Sequence, residues 1–384
     1  MFSKALIGST ATLVGYIIGA GILALPFAFG QVGYLTGAAL VVFLGFGLMI
    51  LYLYLGEVVL RTKGNHQIPG LAERYLGAGG KWVMYLAMIL GGYGSLTAYM
   101  IKEGDFLQLL LFPLFGGNSL LYSYAFFLIG ALLLYIGLRL VEKVEVLLVA
   151  LIILVVGFVF AFTLPLIQPE AVWQFDISKV FVPYGVIFFA FMGIGAIPEM
   201  HAELIGRYRI LKHAIILGTL IPMIVYLLFP FSIVGSAGPE GVSEGTIEGL
   251  QRAVGRPFFM VALFFGMLTM ATSFLAVGLA VKEVFRFDSR ISETRSWVYT
   301  IIGPLALFHL MRFSGVEHAF FKIIDITGAV SGSIIGIVVV LMFWRAKQKG
   351  NREPEFEVSG NRTIGWLLIG LFVVGMVLDL LRLW

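Results

Sequence analysis

Cysteine is absent from the 384 residues, and charge is scarce: Asp, Glu, Lys and Arg make up 12% of the chain. The first absence excludes disulfides and cysteine-ligated metal centres. The second excludes an ordinary soluble domain, because 60% of the residues are hydrophobic and too few polar side chains remain to cover a surface. Signatures of chemistry are missing as well. No HExxH or glycine-rich phosphate loop occurs, and the histidines (66, 201, 213, 309, 318) fall near predicted segment ends. The pI of about 9.1 is no nucleic-acid footprint, since the basic residues sit in short loops and not on one face.

What the chain does have is long apolar runs, with a mean hydropathy of +0.99. Windows of about 20 apolar residues place spans at 6–31, 34–60, 81–111, 119–138, 143–166, 180–203, 212–234, 256–283, 296–312, 319–344 and 363–382. The fold class expected is all-α integral membrane with about eleven spans. The first run is too long for a signal-peptide core and lacks a cleavage site, so it reads as a retained span. With this count, nineteen Lys and Arg fall on the N-terminal side, from Lys4, Arg61 and Lys63 to Arg362, against five on the other. The positive-inside rule makes the N-terminus cytoplasmic and the C-terminus, "LLRLW", extracytoplasmic, and the membrane expected is the cell membrane. Among the loops, 64–80 suits a short inner interfacial helix near Leu71–Leu76. In the outer loop 235–255, Glu240, Glu244 and Glu248 read as a solvated face.

Two spans carry breakers where a plain anchor has none. Residues 15–26 read "GYIIGAGILALP" and span six reads "GVIFFAFMGIGAIPEMHAEL". Each puts Gly-X-Gly at mid-depth and proline soon after, although glycine costs a helix about 1 kcal/mol and proline removes a donor. The copies lie five spans apart. Since five is odd, the second crosses in the opposite direction, as in an inverted repeat with both first helices broken. A break exposes N–H groups that suit a carboxylate and carbonyls that suit an ammonium or a metal cation. Two facing breaks form a site for a zwitterion without burying a protein charge. A single Gly-X-Gly is commonly a packing device; a matched pair, each leading its own five-span half, reads as a site. The division expected is a first repeat over 1–166, a second, inverted, over 167–345, and a linker with an extra helix over 346–384.

"IGAGILALPFAFGQVGY" (Ile18–Tyr34), "AYMIKEGDFL", "GLRLVEKVEVLLV" and "FAFMGIGAIPEM" resemble the amino acid/auxin permease family, including its tryptophan/tyrosine permease branch. That family belongs to the amino acid–polyamine–organocation superfamily, with a leucine-transporter-like five-plus-five fold. The resemblance covers spans one to ten. It implies secondary transport of a neutral aliphatic or aromatic amino acid by alternating access, spans 1, 2, 6 and 7 rocking against the rest. It also implies that amides of Ala20, Gly21 and Ile22 face the substrate carboxylate. Carbonyls of Ile18, Gly19, Phe188, Phe189 and Phe191 would face its ammonium, Ile194 its side chain, with Tyr93 and Thr97 as pocket walls.

For the coupling ion, the resemblance implies a Na⁺ site from Gly15 and Ile18 carbonyls, the Thr269 carbonyl, and the Thr272 and Ser273 hydroxyls. Five oxygens fit a hard cation. The proton alternative rests on Glu199 beside the second break, with His201, Glu203 and Asp325 behind it; the lysine that some relatives place in span five is absent from "VLLVALIILVVGFVFAFTL" (146–164). Lys102, Glu103 and Asp105 either pair or form an outer gate. Na⁺ is preferred, with H⁺ symport, exchange and a non-transporting sensor as the alternatives. No enzyme activity, no other cofactor and no nucleic acid is expected. The partners are the substrate and the bilayer.

Overall fold

The computed structural model describes residues 4–64, 66–137, 141–242, 247–289 and 291–382. They are helical throughout, with short connections. The order is α1 (Lys4–Ile17), α2 (Gly21–Val32), α3 (Tyr34–Leu60), α4 (Ile68–Phe115), α5 (Ser119–Ile136), α6 (Val141–Thr163) and the short α7 (Pro169–Val172). Then come α8 (Tyr184–Ala190), α9 (Ala196–Glu203), α10 (Leu211–Ala237), α11 (Ile247–Glu283), α12 (Glu293–Phe313), α13 (Ala319–Ile326), α14 (Ser333–Lys349) and α15 (Arg362–Arg382). Among the described residues eight helices are long and apolar enough to cross a membrane, and the bent pair α1/α2 makes a ninth. The other two expected spans are the interrupted α8/α9 and the less apolar α12. Many large apolar side chains point outward, among them Phe43, Leu86, Leu128 and Leu367. Water would penalise such a belt, whereas lipid tails are its natural solvent.

Both breaks fall where the glycines are. α1 stops at Ile17 and α2 starts at Gly21 with a 55° bend, while α8 stops at Ala190 and α9 starts at Ala196. Glycine is needed there because the two breaks touch. A Cβ on Gly21 would stand 2.6 Å from the Ala190 Cα, and one on Gly193 would stand 2.5 Å from the Ile17 side chain. The expected interfacial helix before span three is the start of α4, set apart from the span by Gly77 with φ +80°. Of the outer-loop carboxylates, the side chains of Glu240, Glu244 and Glu248 lie outside the described residues.

The polar linker after α14 is ordered by charge. Glu57, fully buried at the end of α3, meets Arg61 Nε at 2.7 Å and Lys347 Nζ at 2.8 Å, and accepts from the Val358 amide at 2.6 Å. Asn351 N–H donates to the Arg61 carbonyl and Arg352 to that of Leu60. The strap thus ties the end of α14 to the end of α3.

Candidate functional site

The site is built from two interrupted helices whose free backbone ends are held by tyrosines. Neither helix, starting at Gly21 or at Ala196, has a side-chain cap; the Gly21 and Ile22 N–H groups are left for a ligand or water, whereas those of Ala196 and Ile197 donate to the Gly193 and Ile194 carbonyls. On the carbonyl side, Tyr226 Oη lies 2.8 Å from the Ile17 oxygen and 2.7 Å from that of Ala190. Tyr52 donates to the Phe191 carbonyl and accepts from the Gly193 amide at 3.0 Å. Both tyrosines are fully buried. Unwound backbone in an apolar interior requires such partners, since each unsatisfied group costs about 1–3 kcal/mol.

A cavity of about 90 Å³ lies against the breaks, lined by Gly19 and Gly21 of the first, Phe189, Met192, Ile194 and Gly195 of the second, and Tyr99 of α4. Tyr99 and Ser273 close on Gly19: a Cβ there would stand 3.0 Å from Tyr99 Oη and 3.2 Å from Ser273 Oγ. The cavity runs into a vestibule of about 800 Å³, with Tyr16, Met88, Gly195, Ala280 and Val284 lining both. The vestibule opens on the face that carries the N-terminus, among Thr62, His66, Glu199, Glu203 and Glu283. On the opposite face the path is shut. Phe27 packs edge-on to Phe321 with ring centroids 5.0 Å apart, and a Cβ on Gly30 would stand 3.1 Å from the Pro239 carbonyl oxygen.

The expected substrate residues divide. Ile18, Ala20 and Ile22 sit in or beside the first break with Gly19 and Gly21. Phe189 and Ile194 line the cavity. Phe188 and Phe191 do not: Phe188 packs on Gly332 and Phe372, and Phe191 packs on Tyr226. The carbonyls of Phe188, Phe189 and Phe191 each already accept one hydrogen bond, from Phe191 N–H, Met192 N–H and Tyr52. A second lone pair on each remains for an ammonium. Tyr93 and Thr97 are not pocket walls either. Tyr93 fits over Gly303 and donates to the Tyr299 carbonyl at 2.7 Å, and Thr97 bonds the Tyr93 and Pro304 carbonyls. Both face α12. The wall is the face two residues further along α4, Ser95 and Tyr99, which also sit four apart.

Of the five residues named for a cation, four share one cavity and Ile18 does not line it. Gly15, Thr269, Thr272 and Ser273 line one small cavity of about 20 Å³ between α1, α6 and α11. That is the size of a single water or ion. Ser273 Oγ is buried and completes no hydrogen bond, while Thr272 Oγ1 donates to the Thr269 carbonyl at 2.9 Å. Ile18 lies at the end of α1, its N–H held by Val14. Around this cavity stand the Gly15 and Thr269 carbonyls and the Thr272 and Ser273 hydroxyls, uncharged oxygens of the kind a hard cation takes.

Glu199 accepts from Tyr16 Oη at 2.7 Å, and Glu203 from Thr12 Oγ1 at 2.8 Å. Both carboxylates line the vestibule and bind α9 to α1. His201 stacks on Tyr208, ring centroids 4.6 Å apart. In the outer half, Lys102 pairs with Asp105 at 3.6 Å and lies over the rings of Phe106 and Phe320. Glu103 is buried, and its Oε1 has no hydrogen-bond partner.

Comparison with known proteins places this geometry. The model of the tryptophan/tyrosine permease family matches residues 2–379. The tyrosine-specific transport system 1 of Haemophilus influenzae is 26% identical, over 97% of this chain and 95% of its own. Glutamine transporter 2 of Aliivibrio fischeri is 25% identical, over 78% of this chain and 80% of its own. The crystal structure of MhsT in complex with L-phenylalanine superposes with a TM-score of 0.71 at 15% identity, covering 99% of this chain and 98% of that one. At that identity the likeness is one of fold, and the fold is the leucine-transporter type, all-helical and membrane-embedded. Two helices broken face to face, each held by a buried tyrosine, are thus set in a chain that belongs to the tryptophan/tyrosine permease family, whose members carry amino acids across membranes.

Proposed function

We propose that this protein is an ion-coupled symporter of neutral amino acids with aromatic or large aliphatic side chains, driven by Na⁺ in preference to H⁺. The observation that carries the reading is the cavity at the two breaks, which opens to one face and is closed to the other. A zwitterion there meets amides of Gly21 and Ile22 with its carboxylate and break carbonyls with its ammonium. Tyr99 Oη, beside Gly19, is a further donor to the carboxylate. Phe189, Met192, Ile194 and Val281 offer an apolar wall to the side chain and no counter-charge for a basic or acidic one. The cation cavity shares α1 and α11 with this pocket, so one ion at Ser273 fixes the helix that ends in the first break. In this reading the vestibule face is cytoplasmic and the structure is open inward. The repeats over 1–166 and 167–345 supply one break each.

Amino acid uptake into proteoliposomes, with inward Na⁺ and H⁺ gradients imposed separately, tests the proposal. Tyrosine, tryptophan, phenylalanine, leucine and glutamine are the substrates to try. Concentrative uptake under the Na⁺ gradient is expected. Uptake under the H⁺ gradient alone transfers the coupling to the Tyr16–Glu199 pair. Binding without uptake under either leaves an exchanger or a sensor.

A further inference from the structure

α15 meets the outer half of the second broken helix through two carboxylates that neither the substrate pocket nor the cation cavity uses. Asp379 is 2% exposed, and its Oδ2 is buried with no hydrogen-bond partner. Asp325 of α13, half-buried, accepts the Val186 amide of α8 at 3.0 Å, and the two carboxylates lie within electrostatic reach of each other. The packing around them is tight. A Cβ on Gly185 would stand 2.5 Å from Asp325 Oδ1, and one on Gly375, a turn before Asp379, would stand 2.3 Å from the Tyr184 ring.

The other titratable or charged groups near the pair are few. Arg382 of α15 acts on both carboxylates and is itself exposed. Tyr184 of α8 hydrogen-bonds Ser333 of α14 at 2.8 Å. Lys322, a turn before Asp325, is exposed, and Lys102 of α4 is taken by Asp105. α2, which also packs on α8, has no ionisable residue. One exposed guanidinium offsets one carboxylate. A second negative charge in an apolar setting has nothing to balance it, and repulsion adds to its desolvation.

We propose that Asp325 and Asp379 form a proton site, holding one proton between them, and that this proton is what lets α15 close on α8. Loss of the proton leaves two charges facing each other across the contact. α8 then loosens, and α8 ends in the substrate-side break. The inference goes beyond Na⁺-driven uptake: it adds a proton-controlled contact in the outer half of the molecule.

Infrared spectroscopy of the purified full chain through a pH titration reads the site directly. In a Glu103→Gln background, which removes the other buried unpartnered carboxyl, the otherwise wild-type chain is expected at neutral pH to show a protonated-carboxyl C=O band that shifts in heavy water. Asp379→Asn and Asp325→Asn each remove it, because a lone carboxylate beside Arg382 is content to be charged. In proteoliposomes, wild-type uptake falls as pH rises above neutral, whereas each Asn variant changes by less than about twofold between pH 6 and 9. A merely structural pair would lower the rate without flattening the profile. A band that persists in both variants, or no band in the Glu103→Gln chain, overturns the proposal. The band is read without substrate, so a failure to transport any amino acid sinks the symporter reading and leaves this one standing.

Discussion

Tyr226 and Ile17 lie on different helices and 209 residues apart, yet the tyrosine hydroxyl sits 2.8 Å from the Ile17 carbonyl and also reaches the Ala190 carbonyl. One side chain therefore holds the ends of both broken helices. Tyr52 does related work at the second break, between the Phe191 carbonyl and the Gly193 amide. Each tyrosine stands on the helix that follows a broken one, α3 after α1/α2 and α10 after α8/α9. A break that binds a ligand must keep its backbone from refolding into a continuous helix, and these hydroxyls supply the alternative partners.

Tyr226→Phe is expected to cost about 1–3 kcal/mol of stability, since the Ala190 carbonyl loses its donor and the Ile17 carbonyl keeps only the Gly19 N–H. Substrate affinity should fall with it, as the two break ends are no longer fixed relative to each other. Thermal unfolding of the purified protein with and without substrate measures both effects. An unchanged midpoint in both states would show that the bridge holds nothing.

The breaks were legible in sequence because Gly-X-Gly followed by proline occurs twice, five spans apart, which helix packing alone does not explain. Gly21 and Gly193 indeed sit at the closest approach. The grouping of Thr272 and Ser273 with Gly15 around one cavity was expected only through the family resemblance, since a Thr-Ser pair in an apolar helix has no local sign of its neighbours. What sequence did not show was which face of α4 looks inward. Tyr93/Thr97 and Ser95/Tyr99 are both four-residue pairs, and only the packing of Tyr93 over Gly303 separates them. Tyr52 and Tyr226 were missed because a tyrosine in an apolar span carries no local sign of its partner. Asp379 was missed for the same reason, its partner being 54 positions earlier on another helix.

Gly21→Ala is expected to abolish substrate binding. The added methyl meets Ala190 backbone at 2.6 Å, so the breaks must separate. Gly370→Ala is the matched control on α15, where a Cβ meets nothing within 4 Å. It should be neutral or slightly stabilising, as alanine favours a helix by about 1 kcal/mol. Radioligand binding on both variants in detergent decides the matter, and equal loss in the two would mean general helix damage.

At the cation cavity, Ser273→Ala removes an oxygen that completes no hydrogen bond with protein. Such a change leaves folding intact, within about 0.5 kcal/mol, because no partner is orphaned. If Na⁺ binds there, the Na⁺ concentration giving half-maximal uptake should rise at least about tenfold, the factor that 1.4 kcal/mol of lost coordination produces. Thr272→Ala should act in the same direction. Sodium titration of substrate binding measures it, and an unchanged half-point removes this cavity from the coupling mechanism.

The strap at the N-terminal face has a predictable response to acid. Lys347 first, then Arg61, hold the Glu357 carboxyl below the ordinary carboxylate range. A folded-state value below the unfolded one means the contact contributes fully above the unfolded value, near 4.3, and fades only as pH falls through the folded one. Between pH 8 and 5 the strap should therefore stay shut, and limited proteolysis of the 350–361 segment should not accelerate. Glu57→Gln acts differently, because Lys347 and Arg61 are left beside a neutral buried group. Breaking a buried pair costs about 3–5 kcal/mol, so cleavage of the segment should become rapid at neutral pH. Alternating access requires α3 and α14 to move relative to one another if the strap is to regulate it. Slow cleavage of the Glu57→Gln variant would therefore show that the strap is fastened by its backbone bonds to Arg61 and Leu60 and not by charge.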